Sequence, residues 1–375
     1  MFTLANRSTF DSISIDDLLN VDLNRDGHIE FTPSTSEMVR PDPVYFHVSP
    51  NVQEQVKERN IRLTDNACTT RIAASYALSL RNAIVLPNSF IAISADNRIV
   101  SDSFRAFGAL ERAGFADLGG GIFKREINEL NVIDHPAILV GIQTNNNFFH
   151  WLMEAMPRIS LLEKARMRLD NYLLILPPLR PWMRDIFNFI TKNKYNSITI
   201  GDTACRFRQL IVPARGLFNI NTFTHHAIDL IRSIPHANST KMRRIYISRE
   251  RSSSRRITNE AEIANILALN GFEPVFPEQM SFEEQISMFS SASHVAGALG
   301  AGLTNIAFTG SGSTLIEFAP EGRTGDATLF ANMCHVLDRK YACLVGEFSG
   351  GFDRPFDRRD FHVDPERLRL LLDAT

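Results

Sequence analysis

The chain has 375 residues, of which 44% are hydrophobic and 22% are charged, and its formal net charge is −2. This length allows two domains with separate cores, and the composition is that of an ordinary globular protein. The charge is too small to recruit nucleic acid or a membrane through a global field. No apolar run approaches the ~20 residues that span a bilayer.

The first residues and the cysteines predict a cytoplasmic protein. Residues 1–8 lack a basic segment followed by an apolar core, so we expect no secretion signal. Cys68, Cys205, Cys334 and Cys343 are scattered and form no CxxC pair. Such spacing indicates reduced thiols rather than a disulfide framework.

Residues 1–60 are polar and rich in proline, and we predict an irregular segment there. Asp22, Asn24 and Asp26 are followed by a glycine, which is the spacing of the first half of a calcium loop. The loop position that normally supplies a bidentate glutamate is Pro33. A turn is therefore the favoured interpretation, and a calcium ion bound by the three side chains is the alternative.

The rest of the first half predicts a parallel sheet covered by helices. Residues 66–81 have apolar side chains at helical spacing and predict a helix or an extended apolar segment. Residues 83–103 predict a β-hairpin with a turn at Asp96-Asn97. Strands and helices then alternate, which favours parallel pairing. The predicted strands are 137–141, 173–176, 197–200 and 209–213, with a helix at 182–191 and a connection at 216–224.

A helix that follows strand 137–141 carries the first candidate site. Asn147 can cap it, and Pro157 should kink it or begin a new helix. His150, Glu154 and Arg158 are spaced by four residues and line one stripe. Chemistry in α/β proteins occurs at the carboxyl ends of parallel strands, so the stripe predicts a catalytic site. The alternative is a solvated helix face on which Glu154 pairs with Arg158.

The second half predicts another alternation of strands and helices. A capping-box-like start at Asn259 and Glu262 and a cap at Ser281 mark two helices. Asp364 and Pro365 begin a closing helix. The predicted elements are strands 245–247, 273–276, 294–297 and 313–318, and helices 259–269, 281–290 and 367–372.

Two strand ends in this half predict a phosphate site. Ser248 and Arg249 follow strand 245–247, and an arginine fork binds phosphate through charge-assisted hydrogen bonds. Gly297, Gly300 and Gly302 form a tight turn before a helix, whose first N–H groups attract anions. The alternative for the glycines is close packing of helix on sheet, and residues 251–256 read as a solvated arginine loop.

Glu317 lies near the end of the next predicted strand. A carboxylate at such a position can bind the vicinal hydroxyls of a ribose, as in dinucleotide folds. A carboxylate in solvent, or paired with an arginine, is the alternative. No dinucleotide fingerprint follows the first strand, which disfavours a dehydrogenase.

These motifs, taken together and in this order, resemble glycosyltransferase family 61, described in bacteria as capsular polysaccharide biosynthesis proteins. The resemblance covers about residues 137–320. One position departs from the family pattern, because Leu299 stands where the family usually has histidine. The matching segments are Asn147–Glu154, Pro157-Arg158, Tyr246–Arg249, Phe272 to Gln285, Gly300–Asn305 and Glu317.

The resemblance implies an α/β fold of the GT-B kind, with two Rossmann-like domains whose parallel sheets face a cleft. The implied domains are an irregular segment at 1–60, an acceptor-side domain at 61–220 and a nucleotide-sugar domain at 221–345. A tail with a closing helix, 346–375, would pack back on the first domain.

The implied function is inverting transfer of a hexose or pentose from a nucleotide-diphosphate sugar to a glycan or other hydroxyl acceptor in surface polysaccharide biosynthesis. A UDP-sugar is the first expectation for the donor. No metal is required. Peripheral association with a polysaccharide assembly complex is the expected partnership. The alternative, suggested by Leu299, is a catalytically impaired module that binds nucleotide sugar or glycan.

The site residues expected from the motifs and the resemblance fall into three groups. Glu154 is the candidate general base, with His150 as rival or orienting partner, and Asn147 and Arg158 line the acceptor side. The donor would contact Ser248, Arg249, Met280, Gly300, Ala301, Gly302, Leu303, Thr304, Asn305 and Glu317.

Overall fold

The computed structural model describes residues 1–5, 26–30, 36–40, 44–46, 68–104, 108–143, 146–219, 222–235, 242–321, 324–355 and 358–375. The chain divides into two compact units. Unit 1 comprises Met1–Ser36, Ala73–Asn219 and Phe223–Leu230. Unit 2 comprises Glu37–Ile72, Ile220–Thr222 and Ile231–Thr375. Neither unit is continuous in sequence.

The strands, in chain order, are β1 Phe2–Ala5, β2 Gly27–Glu30, β3 Ser36–Arg40, β4 Val44–Phe46, β5 Cys68–Ala73, β6 Tyr76–Val85, β7 Ala92–Ile93, β8 Arg98–Val100, β9 Ala116–Asp117, β10 Ile122–Lys124, β11 Leu130–Ile133, β12 Ala137–Leu139, β13 Leu173–Leu176, β14 Ser197–Thr199, β15 Ala204–Pro213, β16 Leu217–Asn219, β17 Thr222–Thr224, β18 Arg243–Ile247, β19 Phe272–Val275, β20 Ala292–Ala298, β21 Thr314–Pro320, β22 Lys340–Gly350 and β23 Asp360–His362.

The α-helices are α1 Gly108–Arg112, α2 Phe148–His150, α3 Pro157–Lys164, α4 Pro181–Thr191, α5 His225–Ser233, α6 Glu260–Leu269, α7 Phe282–Ser290, α8 Thr324–Val336 and α9 Pro365–Ala374. A π-helical turn, Trp151–Ala155, joins α2 to α3. Short 3₁₀ helices are Ser101–Ser103, Leu169–Asn171, Pro277–Gln279 and Ala301–Phe308.

The sheet of unit 1 is mixed rather than fully parallel. Its order is β14-β13-β12-β15-β6-β7-β8-β1-β10-β9, with β11 beside β15 and β2 beside β6. The strands β14, β13, β12 and β15 pair in parallel, as the sequence predicts. From β15 onward most pairs are antiparallel, including the hairpin of β7 and β8, which is confirmed.

The prediction of a helix at residues 66–81 is wrong, and the alternative of an extended segment is confirmed. Residues 68–73 and 76–85 are strands, and β6 pairs with β15 along most of its length. Leu78, Ser79 and Leu80 are all fully buried. Because both faces of β6 are covered at this point, its apolar residues do not alternate, and the period of a strand is hidden.

The sheet of unit 2 is a doubly wound α/β sheet. Its order is β19-β18-β20-β21-β22-β23, and all pairs from β19 to β22 are parallel. Numbered within the unit from β18, the parallel strands follow the 2-1-3-4-5 order typical of flavodoxin-like folds. β23 is antiparallel, and β4 adds a parallel strand against β22.

The described parts of residues 1–60 are not irregular, which corrects the prediction. β1 pairs with β8 and β10, and β2 pairs with β6. β1 and β2 are only four residues long, and their hydrogen-bond partners lie far away in the sequence. Because each strand is so short and pairs with a distant segment, its own sequence shows no strand periodicity.

The closing helix packs on the core of unit 2, and its return to the first domain stays a prediction. Leu368 and Leu371 of α9 are fully buried in a cluster with Ile263 and Leu267 of α6. The Asp364 cap is confirmed, because its carboxylate accepts bonds from the N–H groups of Glu366 and Arg367. The apolar stripe of α9 therefore completes the core beside its own sheet.

Caps elsewhere are confirmed in one case and wrong in another. Ser281 and Glu284 form a full capping box at α7. Asn259 does not cap α6, because its side chain bonds both backbone groups of Val363.

Candidate functional site

The strand order of unit 2 creates a crevice at one position of the sheet. The chain leaves β18 for β19 on one side and later returns to β20 on the other side. At such a reversal the connections diverge, so the carboxyl ends of the two central strands open a crevice that binds ligands. Arg249 follows β18 and Gly300 follows β20, and both therefore lie at this switch point.

The Arg249 guanidinium lies directly against the glycine turn. A Cβ atom added to Gly300 would lie 2.2 Å from its Nη1 atom. Nη2 donates to the carbonyl of Ser254 at 2.9 Å. Nε is buried and has no hydrogen-bond partner among the described residues. Burial lowers the pKa of Arg249, and the carboxylates of Glu260 and Glu278 oppose that shift. The side chain thus holds a largely desolvated positive charge with unused donor capacity.

The three glycines of the turn have different reasons to be glycine. Cβ atoms at Gly297 and Gly302 would lie 3.2 Å from atoms of Ile247 in β18. These two residues therefore fit the close-packing interpretation. Gly300 instead makes room for the guanidinium of Arg249. The helix that follows begins at Ala301 and is a 3₁₀ helix rather than an α-helix. The N–H groups of Ala301 and Gly302 stand at its start, where no earlier turn supplies acceptors.

The side chains of the remaining turn residues point away from any surface. Leu303, Thr304 and Asn305 are fully buried, whereas Ala301 and Gly302 are half-buried. The Asn305 amide donates to the carbonyl of Gly302 at 3.0 Å. The 3₁₀ helix turns these three side chains into the core, and the contact of Leu303, Thr304 and Asn305 with a donor stays a prediction.

Glu317 is hydrogen-bonded to a side chain of the neighbouring strand β22. It lies in the middle of β21 and is fully buried. Its Oε2 accepts a hydrogen bond from the Tyr341 hydroxyl at 2.8 Å. Burial raises the pKa of Glu317 to about 8, against the hydrogen bond from Tyr341 and the charge of Arg255. The role of Glu317 as a ribose ligand stays a prediction.

Ser248 and Met280 have structural partners near the same crevice. The Ser248 hydroxyl donates to Oε1 of Glu260 at 2.7 Å. Met280 is half-buried at the end of a 3₁₀ turn, and its carbonyl accepts from Gln285 at 3.2 Å. Leu299, at the position where the resembled family has histidine, is buried and donates its N–H to the Phe318 carbonyl.

In unit 1, the helix after β12 contains a π-helical turn. Asn147 caps it, as predicted, by accepting a bond from the His150 N–H. Met156 donates to the carbonyl of Trp151, which lies five residues earlier. Pro157 then begins α3, as one of the two predicted outcomes. A π turn adds one residue to a helical turn and is frequent at functional sites. It also breaks the four-residue spacing of the predicted stripe.

Glu154 lies at the centre of a buried polar cluster. Its Oε1 is 2.6 Å from Nδ1 of His150, and its Oε2 accepts from Nη1 of Arg215 at 3.5 Å. The Glu154 side chain is 1% exposed, whereas that of His150 is 14% exposed. A substrate can therefore reach the imidazole more readily than the carboxylate.

Arg158 does not belong to this cluster. It is fully buried, and its guanidinium donates to the carbonyls of Leu139, Gly141 and Asp102, each at 3.1 Å. Burial lowers its pKa to about 9. The alternative of a solvated pairing with Glu154 is therefore wrong, and the acceptor-side role of Arg158 stays a prediction. The Arg158 guanidinium lies at the end of β12, where it bonds the last carbonyl of the strand and the carbonyl of Gly141 just beyond it.

Sequence reasoning missed two residues of these clusters. Arg215 follows the predicted strand 209–213, so the rule that directed attention to Arg249 could have found it. Glu260 begins α6, where an acidic residue reads as a favourable charge for the helix dipole. Nothing in its spacing indicates that it bonds the end of β18.

No metal centre emerges from the described residues. They contain no group of three or more His, Cys, Asp or Glu side chains that could hold an ion. In the calcium-loop alternative, Asp22 and Asn24 lie outside the described residues, and Asp26 accepts a bond from the N–H of Arg81 at 2.8 Å. That alternative stays a prediction. Cys205, Cys334 and Cys343 are free, as predicted. Within the described ranges, no helix has the length and apolarity to cross a membrane.

Comparison with known proteins bears on both clusters. Residues 148–316 match the family described as Glycosyltransferase 61. The matched stretch contains the His150–Glu154 cluster, Arg215, Arg249 and the glycine turn. No curated protein matches the chain.

Proposed function

Because residues 148–316 belong to glycosyltransferase family 61, we propose that this chain transfers a sugar from a nucleotide-diphosphate donor to a hydroxyl acceptor with inversion. The donor's diphosphate binds at the switch point of unit 2, and the base that activates the acceptor comes from unit 1. The GT-B arrangement, metal independence and a role in surface polysaccharide synthesis in the cytoplasm are parts of this proposal.

One observation carries the proposal: the Arg249 guanidinium is packed against Gly300 with its buried Nε unbonded among the described residues. A buried donor without an acceptor is costly, and a ligand oxygen would remove that cost. The N–H groups of Ala301 and Gly302 lie at the adjacent helix start and favour the same anionic ligand. Charge therefore accumulates on the departing diphosphate where donors are already in place.

We assign the acceptor base to His150 and a positioning role to Glu154. Both oxygens of Glu154 are engaged, one by His150 and one by Arg215, and the carboxylate is buried. Its bond to Nδ1 fixes the imidazole, and we assign proton transfer to Nε2, the other ring nitrogen. This exchanges the roles that the sequence first suggested, since a base must be reached by the acceptor.

In the proposed reaction one bond forms at the anomeric carbon, one bond breaks there, and one proton is transferred. The acceptor oxygen forms a bond to the anomeric carbon from the face opposite the phosphate. The bond from that carbon to the phosphate oxygen breaks, and its electron pair leaves with the nucleoside diphosphate. The acceptor proton passes to Nε2 of His150. Arg249 and the turn N–H groups stabilise the diphosphate as it leaves.

The donor site is tested by Arg249→Ala. Loss of charge-assisted bonds worth about 1.5–3 kcal/mol each should weaken binding of nucleoside diphosphate about 10- to 100-fold. Calorimetric titration with UDP, GDP, CDP and dTDP measures this for wild type and variant. Arg244→Ala is the matched control, because Arg244 lies in the same strand, β18, away from the end that Arg249 follows. Equal affinity of the wild type and Arg249→Ala for nucleoside diphosphate would contradict the proposed anion site.

The base is tested by comparing His150→Ala with Glu154→Gln. Loss of a general base should lower kcat about 10²–10⁴-fold, with nucleoside diphosphate affinity unchanged. Glutamine can still accept a bond from Nδ1–H, so Glu154→Gln should lose far less. His135→Ala, at an exposed histidine of the same unit, controls for loss of an imidazole. A Glu154→Gln variant as impaired as His150→Ala would return the base to Glu154.

A second function, a binding module without transfer, is favoured by Leu299. The resembled family usually has histidine there, and in this chain the residue is an apolar part of the core. Such a module would bind nucleotide sugars with the same dependence on Arg249 but would release no nucleoside diphosphate with any acceptor. A coupled assay for released diphosphate across donors and acceptors separates the two functions.

A further inference from the structure

A single carboxylate oxygen of Glu260 accepts hydrogen bonds from three polar groups at the end of β18. Its Oε1 accepts from the Tyr246 hydroxyl at 2.8 Å, the Ser248 hydroxyl at 2.7 Å and the Arg249 N–H at 2.9 Å. Glu260 is the first residue of α6, so its own backbone is fixed by the helix. The strand end and the helix start are thereby joined at one atom.

This arrangement fixes the backbone position of Arg249. After β18 the chain leaves the sheet, and the ladder no longer fixes its backbone. The bond from the Arg249 N–H to Glu260 replaces the ladder there, and the bond from Nη2 to Ser254 holds the other end of the side chain. Between these two anchors the guanidinium is directed against Gly300.

Two effects of Glu260 on an anion at this site oppose each other. Its negative charge repels the anion and offsets part of the charge of Arg249. Its three hydrogen bonds hold Arg249 in the geometry that binds the anion, so less freedom is lost on binding. All three bonds are made through one short, helix-anchored side chain, and none of them uses the guanidinium itself.

We propose that Glu260 is a positioning residue for the diphosphate site, acting through Arg249, and that positioning outweighs charge repulsion. This inference rests on the proposed function, because it presumes that Arg249 binds the donor's phosphates. Glu260 itself touches neither substrate nor reacting atoms. It determines donor affinity by fixing the backbone from which the arginine fork extends.

The test measures binding of inorganic pyrophosphate to the full chain by calorimetry. We expect Glu260→Ala to weaken binding about tenfold or more. Glu260→Gln should recover most of that loss, because its amide oxygen still accepts the three bonds. Glu262→Ala removes an exposed-side carboxylate from the same first turn of α6, where it bonds only Asn259 among the described contacts. That control should leave the affinity unchanged.

A double-mutant cycle shows whether Glu260 acts through Arg249. In the Arg249→Ala background, Glu260→Ala should cause no further loss. An equal loss in both backgrounds would identify a merely structural role, and unchanged or tighter binding in Glu260→Ala would show that repulsion dominates; either result overturns the inference. If Arg249→Ala alone has no effect, the proposed anion site fails instead.

Tyr246→Phe keeps the experiment decisive if Glu260→Ala does not fold. It removes one of the three donors and leaves the buried ring in place. We expect a two- to fivefold loss of pyrophosphate affinity that disappears in the Arg249→Ala background. The same affinity for wild type and Tyr246→Phe would contradict the inference.

Discussion

Two charged side chains of the predicted site, Arg158 and Glu317, are completely buried. Hydrogen bonds from Arg158 to three backbone carbonyls offset the desolvation free energy of its buried charge. Glu317 avoids a buried charge instead, because burial raises its pKa to about 8 and the carboxyl group is neutral at pH 7. Neither side chain is exposed at the surface of its unit.

Glu317 should make the stability of the wild type fall as pH rises. The unfolded carboxyl releases its proton near its ordinary pKa of 4.5, whereas the folded one keeps it until about pH 8. Stability is therefore lost between these two values, at up to about 1.4 kcal/mol per pH unit. Glu317→Gln stays neutral throughout and should lack this loss. Urea unfolding at pH 5, 6.5 and 8 measures the difference.

Glu347→Gln provides the matched control for this experiment. Glu347 is exposed on the neighbouring strand β22, so the same Glu→Gln substitution there does not change a buried group. Its stability curve should run parallel to that of the wild type. A Glu317→Gln curve that is also parallel would show that Glu317 ionises normally.

At the scale of elements, the π turn at Trp151–Ala155 determines what the helix presents. Pro157 has no N–H, so the Met153 carbonyl loses its usual helical partner. Gly216 packs against this gap and donates its N–H to the Glu154 carbonyl at 3.2 Å. Arg215, the preceding residue, then reaches the Glu154 carboxylate. The turn and the segment after β15 thus form one assembly around Glu154.

Gly216→Ala should disrupt this assembly. A Cβ atom there would lie 1.8 Å from the Met153 carbonyl oxygen, so backbone must move. We expect a loss of about 3 kcal/mol in the free energy of unfolding, and a loss of turnover because Arg215 moves away from Glu154. Urea unfolding and a transfer assay measure the two effects.

Gly201→Ala is the control for the Gly216 experiment. Gly201 is in the same unit, and a Cβ atom there would meet nothing within 4 Å. It should change stability by less than about 1 kcal/mol and leave turnover intact. Equal stability of the two variants would mean that the Gly216 contact is not tight in solution.

At the scale of the whole molecule, the two units supply different chemistry. Unit 1 contains the His150–Glu154–Arg215 cluster, and unit 2 contains Arg249 and Gly300, where the anion site is proposed. Turnover under the proposed function requires both, whereas binding of nucleoside diphosphate requires only unit 2. Variants of the two clusters should therefore separate into turnover defects and affinity defects.

Transfer by the full chain should persist in EDTA. In the proposed mechanism the leaving diphosphate is neutralised by Arg249 and by N–H groups at the start of a helix, so a divalent ion is not needed for that step. A diphosphate-release assay with EDTA, and with Mg²⁺ or Mn²⁺ added back, measures the requirement. Rates within about twofold are expected. Loss of activity in EDTA that Mg²⁺ restores would contradict this part of the mechanism.

The sequence by itself determined the alternation of strands and helices from β12 onward and the positions of Arg249 and the glycine turn. Parallel strands place their carboxyl ends at one edge, so residues after each strand can be identified from local pattern alone. His150 and Glu154 were found in the same way, from their place after β12. The family resemblance rested on these local segments and is confirmed over residues 148–316.

Only the tertiary structure decided which of these residues face a site and which serve the core. The partners of Glu154 and Arg249 include Arg215, 61 positions from Glu154, and Glu260, 11 positions from Arg249. Burial of Arg158 and Glu317 likewise depends on which strands and helices pack over them. Side-chain environment is a property of contacts between distant segments, and local periodicity contains no record of those contacts.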